Sequence, residues 1–264
     1  MTGSGSRTTA DGIWAQEVGE GPLVALVHGA MDRSGGMLRV RRVLQPTCTV
    51  LRYDRRGYAR SLPAGPPTSF AQQVDDLAGL LAHRPGVLAG HSFGGLVCLG
   101  LAQARPDLVR AVVAYEAPEM WASWWPGSSP GHQAAAMPTP EDAAEGFLRR
   151  MIGDDMWQRL PAAMRSERRA EGPALIAEMR SVRPPNPPPF DASALVVPVI
   201  AAHGSEARAH HVRATTELAR RAPRGELQVV DGAGHGAHLT HPHEFAALVD
   251  LALERAAEQI EEGA

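Results

Sequence analysis

The stretch Gly90-His91-Ser92-Phe93-Gly94 constrains this chain more than any other, because of what stands on either side of it. A short apolar run, Val87-Leu88-Ala89, leads in. A helical pattern, Leu96-Val97-Cys98-Leu99-Gly100-Leu101-Ala102, leads out beyond Gly95. A G-x-S-x-G pattern between a buried strand and a helix predicts a sharp elbow with the serine at its tip. Such a turn strains the serine backbone, and glycines two residues to either side let neighbouring backbone pass where a Cβ would clash. The Ser92 hydroxyl is then presented at the end of a sheet, above the N-terminus of the following helix. Ser92 is the candidate nucleophile. The five-residue pattern is common by itself, so its weight comes from this context.

Short continuous apolar runs alternate with helical patterns along most of the chain, which predicts a mostly parallel sheet covered on both faces. Strands are expected at Leu23 to Val27, Thr49 to Tyr53, Val87 to Gly90, Leu108 to Tyr115, Val196 to Ala202 and Leu227 to Val230. Gly12 to Val18 is expected to add an antiparallel edge. Helices are expected near Gly36 to Leu44, through Phe70, Val74, Leu77 and Leu81, at His210 to Arg221, and at Phe245 to Glu258. Residues 119–192 interrupt the alternation. They carry Trp121, Trp124, Trp125 and Trp157, two helical patterns (Pro140 to Ile152 and Gly172 to Ser181), and the stiff segment Pro184 to Pro189. The expected organisation is a core over 1–118 and 193–264, with 119–192 inserted as a helical cap.

The 264 residues suffice for one α/β domain with such an insertion. A net charge of −3 gives no general attraction to nucleic acid or an anionic membrane, and neither partner is expected. All 26 basic residues are arginine, which excludes Schiff-base and catalytic-lysine chemistry. Cys48 and Cys98 both fall in segments that read as buried, so a disulfide framework or thiolate metal site is not expected. Met1 to Thr9 shows no apolar signal region, and a cytoplasmic location is the expectation.

Four motifs now stand in order: Val27-His28-Gly29-Ala30, Tyr53-Asp54-Arg55-Arg56-Gly57-Tyr58-Ala59-Arg60-Ser61, Gly90 to Gly95, and Gly232-Ala233-Gly234-His235. In this order and spacing the chain resembles the α/β-hydrolase superfamily over roughly residues 20–118 and 194–252. The resemblance implies that His235 is the base, because a serine hydroxyl needs an imidazole to take its proton. It also implies an oxyanion hole from the backbone N–H groups of Ala30 and Phe93, with Met31 as a substitute donor and substrate contact. Asp54 is expected to tie down the loop after its strand, and Asp32 or Ser34 to cap the next helix.

Two carboxylates compete for the third role. The stretch His203-Gly204-Ser205-Glu206-Ala207 has alanine where most family members carry an aspartate, and Glu206 is one residue out of place. Glu116 ends the strand before the insertion, which resembles the acid position after strand six in some lactone-hydrolysing members. Glu116 is the preferred acid, with Glu206 as the alternative. His238, His241 and His243 follow His235 closely, but no cysteine or carboxylate joins them at ligand spacing, so no metal is expected. The four tryptophans either line an apolar cavity or form the insertion's own core. Arg149-Arg150 and Arg165 to Arg169 read as a solvated helix face, with docking of an acidic substrate or acyl carrier as the alternative.

The resemblance therefore implies a cofactor-free carboxylic ester hydrolase, acting through an acyl-enzyme on Ser92 upon an ester or lactone of a largely apolar small molecule. A haloalkane dehalogenase is disfavoured because its nucleophile would be aspartate. Carbon–carbon bond hydrolysis, a haloperoxidase-like side activity, acyl transfer or cyclisation, and a non-catalytic ligand-binding protein on the same scaffold are the alternatives.

Overall fold

The computed structural model describes residues 5–134 and 136–262. Eight strands, β1 (Gly5–Thr8), β2 (Trp14–Val18), β3 (Leu23–Val27), β4 (Thr49–Tyr53), β5 (Gly86–His91), β6 (Val109–Tyr115), β7 (Val199–Gly204) and β8 (Gly225–Val230), make one sheet in the order β1-β2-β4-β3-β5-β6-β7-β8. β1 and β2 pair antiparallel at one edge, and β4 to β8 run parallel with β3. Strands β3, β5 and β7 are buried at every residue, as their largely apolar sequences require of parallel strands covered on both faces.

Eleven helices among the described residues surround and extend the sheet: α1 (Leu38–Leu44), α2 (Phe70–Leu81), α3 (Phe93–Ala104), α4 (Pro130–Ala134), α5 (Pro140–Ile152), α6 (Asp154–Arg159), α7 (Ala162–Ala170), α8 (Gly172–Ser181), α9 (Ala209–Arg221), α10 (Ala237–Thr240) and α11 (Pro242–Glu262). The sheet divides the core in two. On one face Leu77, Leu81, Val97 and Leu101 of α2 and α3 pack with Ala214 and Leu218 of α9. On the other, Val40 and Leu44 of α1 meet Phe245, Val249 and Ala252 of α11. Each fully buried Leu, Val or Phe of this kind contributes roughly 1.5–3 kcal/mol relative to exposure. Helices α4 to α8 all fall between β6 and β7 and add no strand.

Some expected strand boundaries shift. The strand expected from Val196 begins at Val199, because Pro198 has no N–H to give the ladder and Val196 stands 58% exposed. The strand expected from Leu108 begins at Val109, since Pro106–Leu108 winds into a 3-10 turn. The edge strand β1 has no buried residue and therefore no apolar alternation to reveal it. The arginine-rich stretch is the exposed helix α7, as expected. No helix among the described residues is long and apolar enough to cross a membrane. Cys48 and Cys98 are buried and unpaired.

Candidate active site

The parallel order sets the carboxyl ends of β5, β6, β7 and β8 side by side, so the residues after them converge on one crevice. Ser92 follows β5 with φ 52° and ψ −123°, a positive φ that a residue with a Cβ adopts only under constraint. Two things impose it. The Ser92 N–H donates to the Tyr115 carbonyl of β6 at 2.8 Å. The glycines on either side are obligatory, since a Cβ on Gly94 would run into the carbonyls of Val27 and His28, and one on Gly90 into the Gly94 backbone. Phe93 opens α3, so its N–H is among the helix's first, unpaired donors and stands beside the serine.

Glu116 follows β6, also at positive φ (47°), and its side chain is fully buried. Its N–H donates to Ala202 O at 2.8 Å, and its Oε1 accepts from Gly204 N at 3.2 Å, both from β7. Its Oε2 lies 2.6 Å from His235 Nδ1. That bond fixes Nδ1 as the donor and leaves the His235 Nε2 lone pair free. The histidine loop is held in turn by Tyr115, whose hydroxyl donates to Gly234 O at 2.8 Å, and by His91, whose Nε2 donates to His235 O at 2.8 Å. Glu206 is exposed and lines the same cavity, but makes no bond to His235. Among the described residues the hydrogen bond between Ser92 and His235 is not formed. Such bonds commonly tighten only around a substrate.

Ser92, Phe93, Ala30, Glu116 and His235 line one cavity of about 230 Å³. Its remaining walls are largely apolar, with Met120, Trp125, Phe147, Met151 and Met179. Of the five side chains expected to contact substrate, only Trp125 is there. Met31 is buried in the core at φ 53°, its carbonyl holding Arg168 at 2.8 Å. Trp157 is fully buried between α5 and α7, with its indole N–H on Glu145 at 3.1 Å. Trp121 packs edge-on against Phe190, and Trp124 lies under the Arg213 guanidinium, 4.4 Å from the ring centre. Three of the four insertion tryptophans thus serve packing.

The crevice also holds further histidines, of which His211 was not singled out from the sequence. His211 of α9 lies 3.9 Å from Glu116 Oε2 and lines the cavity. Burial, reinforced by the nearby His235, pushes its imidazole well below the usual range, and His91 is lowered in the same way. The adjacent pair His210-His211 was the only local signal. His238 Nε2 sits 3.0 Å from Asp32 Oδ2, joining the histidine loop to the loop after β3. Burial pushes the Asp32 carboxyl up, but the His238 contact and charge outweigh it and the net shift is downward. Two groups bring three potential metal ligands within 4.8 Å of one another, Asp32, His91 and His238 in one and Glu116, His211 and His235 in the other. In each, a carboxylate is already hydrogen-bonded to an imidazole.

Beneath the site, Asp54 is buried and accepts from Ser34 N at 2.8 Å and Arg60 Nε at 2.6 Å, the tie expected of it. Arg55 binds the carbonyls of His28 and Gly29, both at 2.9 Å, and pairs with Glu178 of α8, which also accepts from the Tyr58 hydroxyl at 2.7 Å. The loop after β3 and the inserted helices are therefore fastened to each other through one buried guanidinium.

A family model described as the alpha/beta hydrolase family matches residues 24–248, and the chain belongs to that family. A 106-residue segment, 38% of this chain, is 35% identical to 2-(acetamidomethylene)succinate hydrolase of Mesorhizobium japonicum. That segment spans only 37% of the relative's length. The solved structure of E-2-(acetamidomethylene)succinate hydrolase is similar over 96% of this chain and 100% of that one, with TM-score 0.69 and 22% identity. The enol-lactonase of Burkholderia xenovorans LB400 is similar over 92% and 96%, again with TM-score 0.69 and 22% identity. At those identities the structural likeness speaks for the fold.

Proposed function

We propose that this chain is a serine hydrolase that cleaves an ester or lactone of a small molecule, with Ser92, His235 and Glu116 as its triad. The observation that carries the proposal is the 2.6 Å bond from His235 Nδ1 to a fully buried carboxylate, within the cavity that Ser92 lines. A carboxylate there holds the imidazole in the tautomer whose Nε2 can accept a proton, and stabilises the imidazolium that results.

Ser92 Oγ attacks the carbonyl carbon as its proton passes to His235 Nε2. The tetrahedral oxyanion is held by the N–H groups of Ala30 and Phe93. Collapse breaks the carbonyl–oxygen bond, and the leaving alkoxide takes the proton from His235. From a lactone it stays attached to the acyl chain. Water then attacks the Ser92 ester, His235 takes and returns the proton, and the carboxylic acid leaves with Ser92 restored. Helices α4 to α8 act as the cap over this site. The cavity volume, below the roughly 300–1,000 Å³ of sites for drug-sized ligands, favours a short acyl chain.

Intact-mass analysis after exposure to a small fluorophosphonate tests the proposal. One adduct on the wild type and none on folded Ser92→Ala is expected. An unlabelled wild type, or an adduct that persists in Ser92→Ala, would remove Ser92 as the nucleophile.

A further inference from the structure

The cavity that holds Ser92 is apolar along most of its wall but carries two arginines, Arg150 from the last turn of α5 and Arg208 from the connection between β7 and α9. Several arginines nearby are tied to carboxylates, and these two are not. Arg149, next in sequence, pairs with Glu145 and Asp154. Arg168 pairs with Glu171, Arg169 with Glu145, and Arg221 with Glu119. Among the described residues neither Arg150 nor Arg208 forms an ion pair or a side-chain hydrogen bond with any protein group, and both are exposed at the cavity.

The two cations reach the cavity from different parts of the fold, one from the insertion and one from the core. Phe147, Met151, Met179 and Trp125 line the same cavity and offer apolar wall to a hydrocarbon chain. We propose that Arg150 and Arg208 form an anion subsite at the mouth of this cavity, and that the substrate is a short-chain ester or lactone with a free carboxylate at the end remote from the scissile carbonyl. The inference rests on the Ser92 cavity being the substrate site. A guanidinium offers a planar fork of donors that matches a carboxylate. A carboxylate also suits the local charge better than a dianionic phosphate, because Glu206 lines the same cavity and Glu116 lies at its floor. An apolar chain ending in one negative charge matches the apolar walls and the two cations.

A charge-assisted pair favours the anion by roughly tenfold to a hundredfold when buried, and solvent at the mouth reduces this toward about tenfold. Binding can be measured without turnover in Ser92→Ala, by quenching of tryptophan fluorescence with Trp125 in the cavity. The probes are monomethyl adipate, which carries one carboxylate, and dimethyl adipate, its neutral counterpart. The expected result is binding of the monoanion about tenfold tighter at low ionic strength, a preference that fades with added salt. In Ser92→Ala with Arg150→Gln and Arg208→Gln the ratio should fall to near one, and the lysine pair at the same positions should restore part of it. A ratio near one in Ser92→Ala, no detectable binding of the monoanion, or a preference that survives loss of both arginines would overturn the subsite. If the preference follows the arginines but the wild type leaves monomethyl adipate and labelled esters intact, the hydrolase proposal fails and the anion subsite stands.

Discussion

His28 shows how tightly a single residue near this site is specified. Its Nε2 accepts from Arg55 N at 2.9 Å, and its Nδ1 faces Gly29 O at 2.8 Å, so Nδ1 must donate and Nε2 must stay unprotonated. Burial, aided by the Arg55 charge, pushes the imidazole from 6.5 down to about 4. Below the unfolded value the unfolded chain takes up a proton that the folded chain refuses. The stability is therefore complete above pH 6.5 and declines as pH falls toward about 4. Between pH 7 and pH 5 this one residue accounts for a loss of about 2 kcal/mol. Burial pushes Glu178 the opposite way, so the comparison has to isolate the histidine. In urea unfolding at both pH values, His28→Gln should lose about 2 kcal/mol less than the wild type. Equal losses would remove His28 as a source of acid lability.

At the scale of elements, the inserted helices depend on the core through a few buried polar contacts, of which Glu178 is the clearest. It is fully buried on α8 and shared between Arg55 and Tyr58. Glu178→Ala would leave the Arg55 charge buried without its partner, and a loss of about 3–5 kcal/mol in urea unfolding is expected. Glu167→Ala, at a carboxylate 65% exposed beside Arg33, should fall within about 0.5 kcal/mol of the wild type. Similar losses for both would mean that the Arg55 contact does not hold the insertion. This scale also marks what could be read from sequence. The runs Leu23 to Val27 and Val87 to Gly90 announce buried parallel strands, and Gly90 to Gly94 announces the elbow, because local pattern alone dictates them. The place of Trp125 in the cavity and of Trp157 in the packing could not be told apart, since both lie in the same tryptophan-rich stretch. Arg150 and Arg208 lie 58 positions apart and come to one cavity only through tertiary folding. Nor did spacing foretell that Met31 turns inward: its φ of 53° carries the chain past the cavity, with the side chain in the core.

For the molecule as a whole, the order of the parallel strands is what makes a site out of residues spread from 92 to 235. Ser92, Glu116, Glu206 and His235 follow four neighbouring strands and all open on the same crevice. Two carboxylates thus compete for one imidazole. Burial separates them: Glu116 is enclosed and bonded to His235 Nδ1, whereas Glu206 stands in solvent. In the proposed mechanism the carboxylate after β6 sets the tautomer of His235. The most direct measurement is the second-order rate at which a neutral fluorophosphonate labels Ser92 in the wild type, Glu116→Gln and Glu206→Gln. It needs no knowledge of the natural substrate. A positioned base contributes about 10²–10⁴-fold, so Glu116→Gln should slow labelling by at least about 100-fold, with Glu206→Gln within a few-fold of the wild type. The reverse ranking would give the acid role to the carboxylate after β7 and remove Glu116 from the triad.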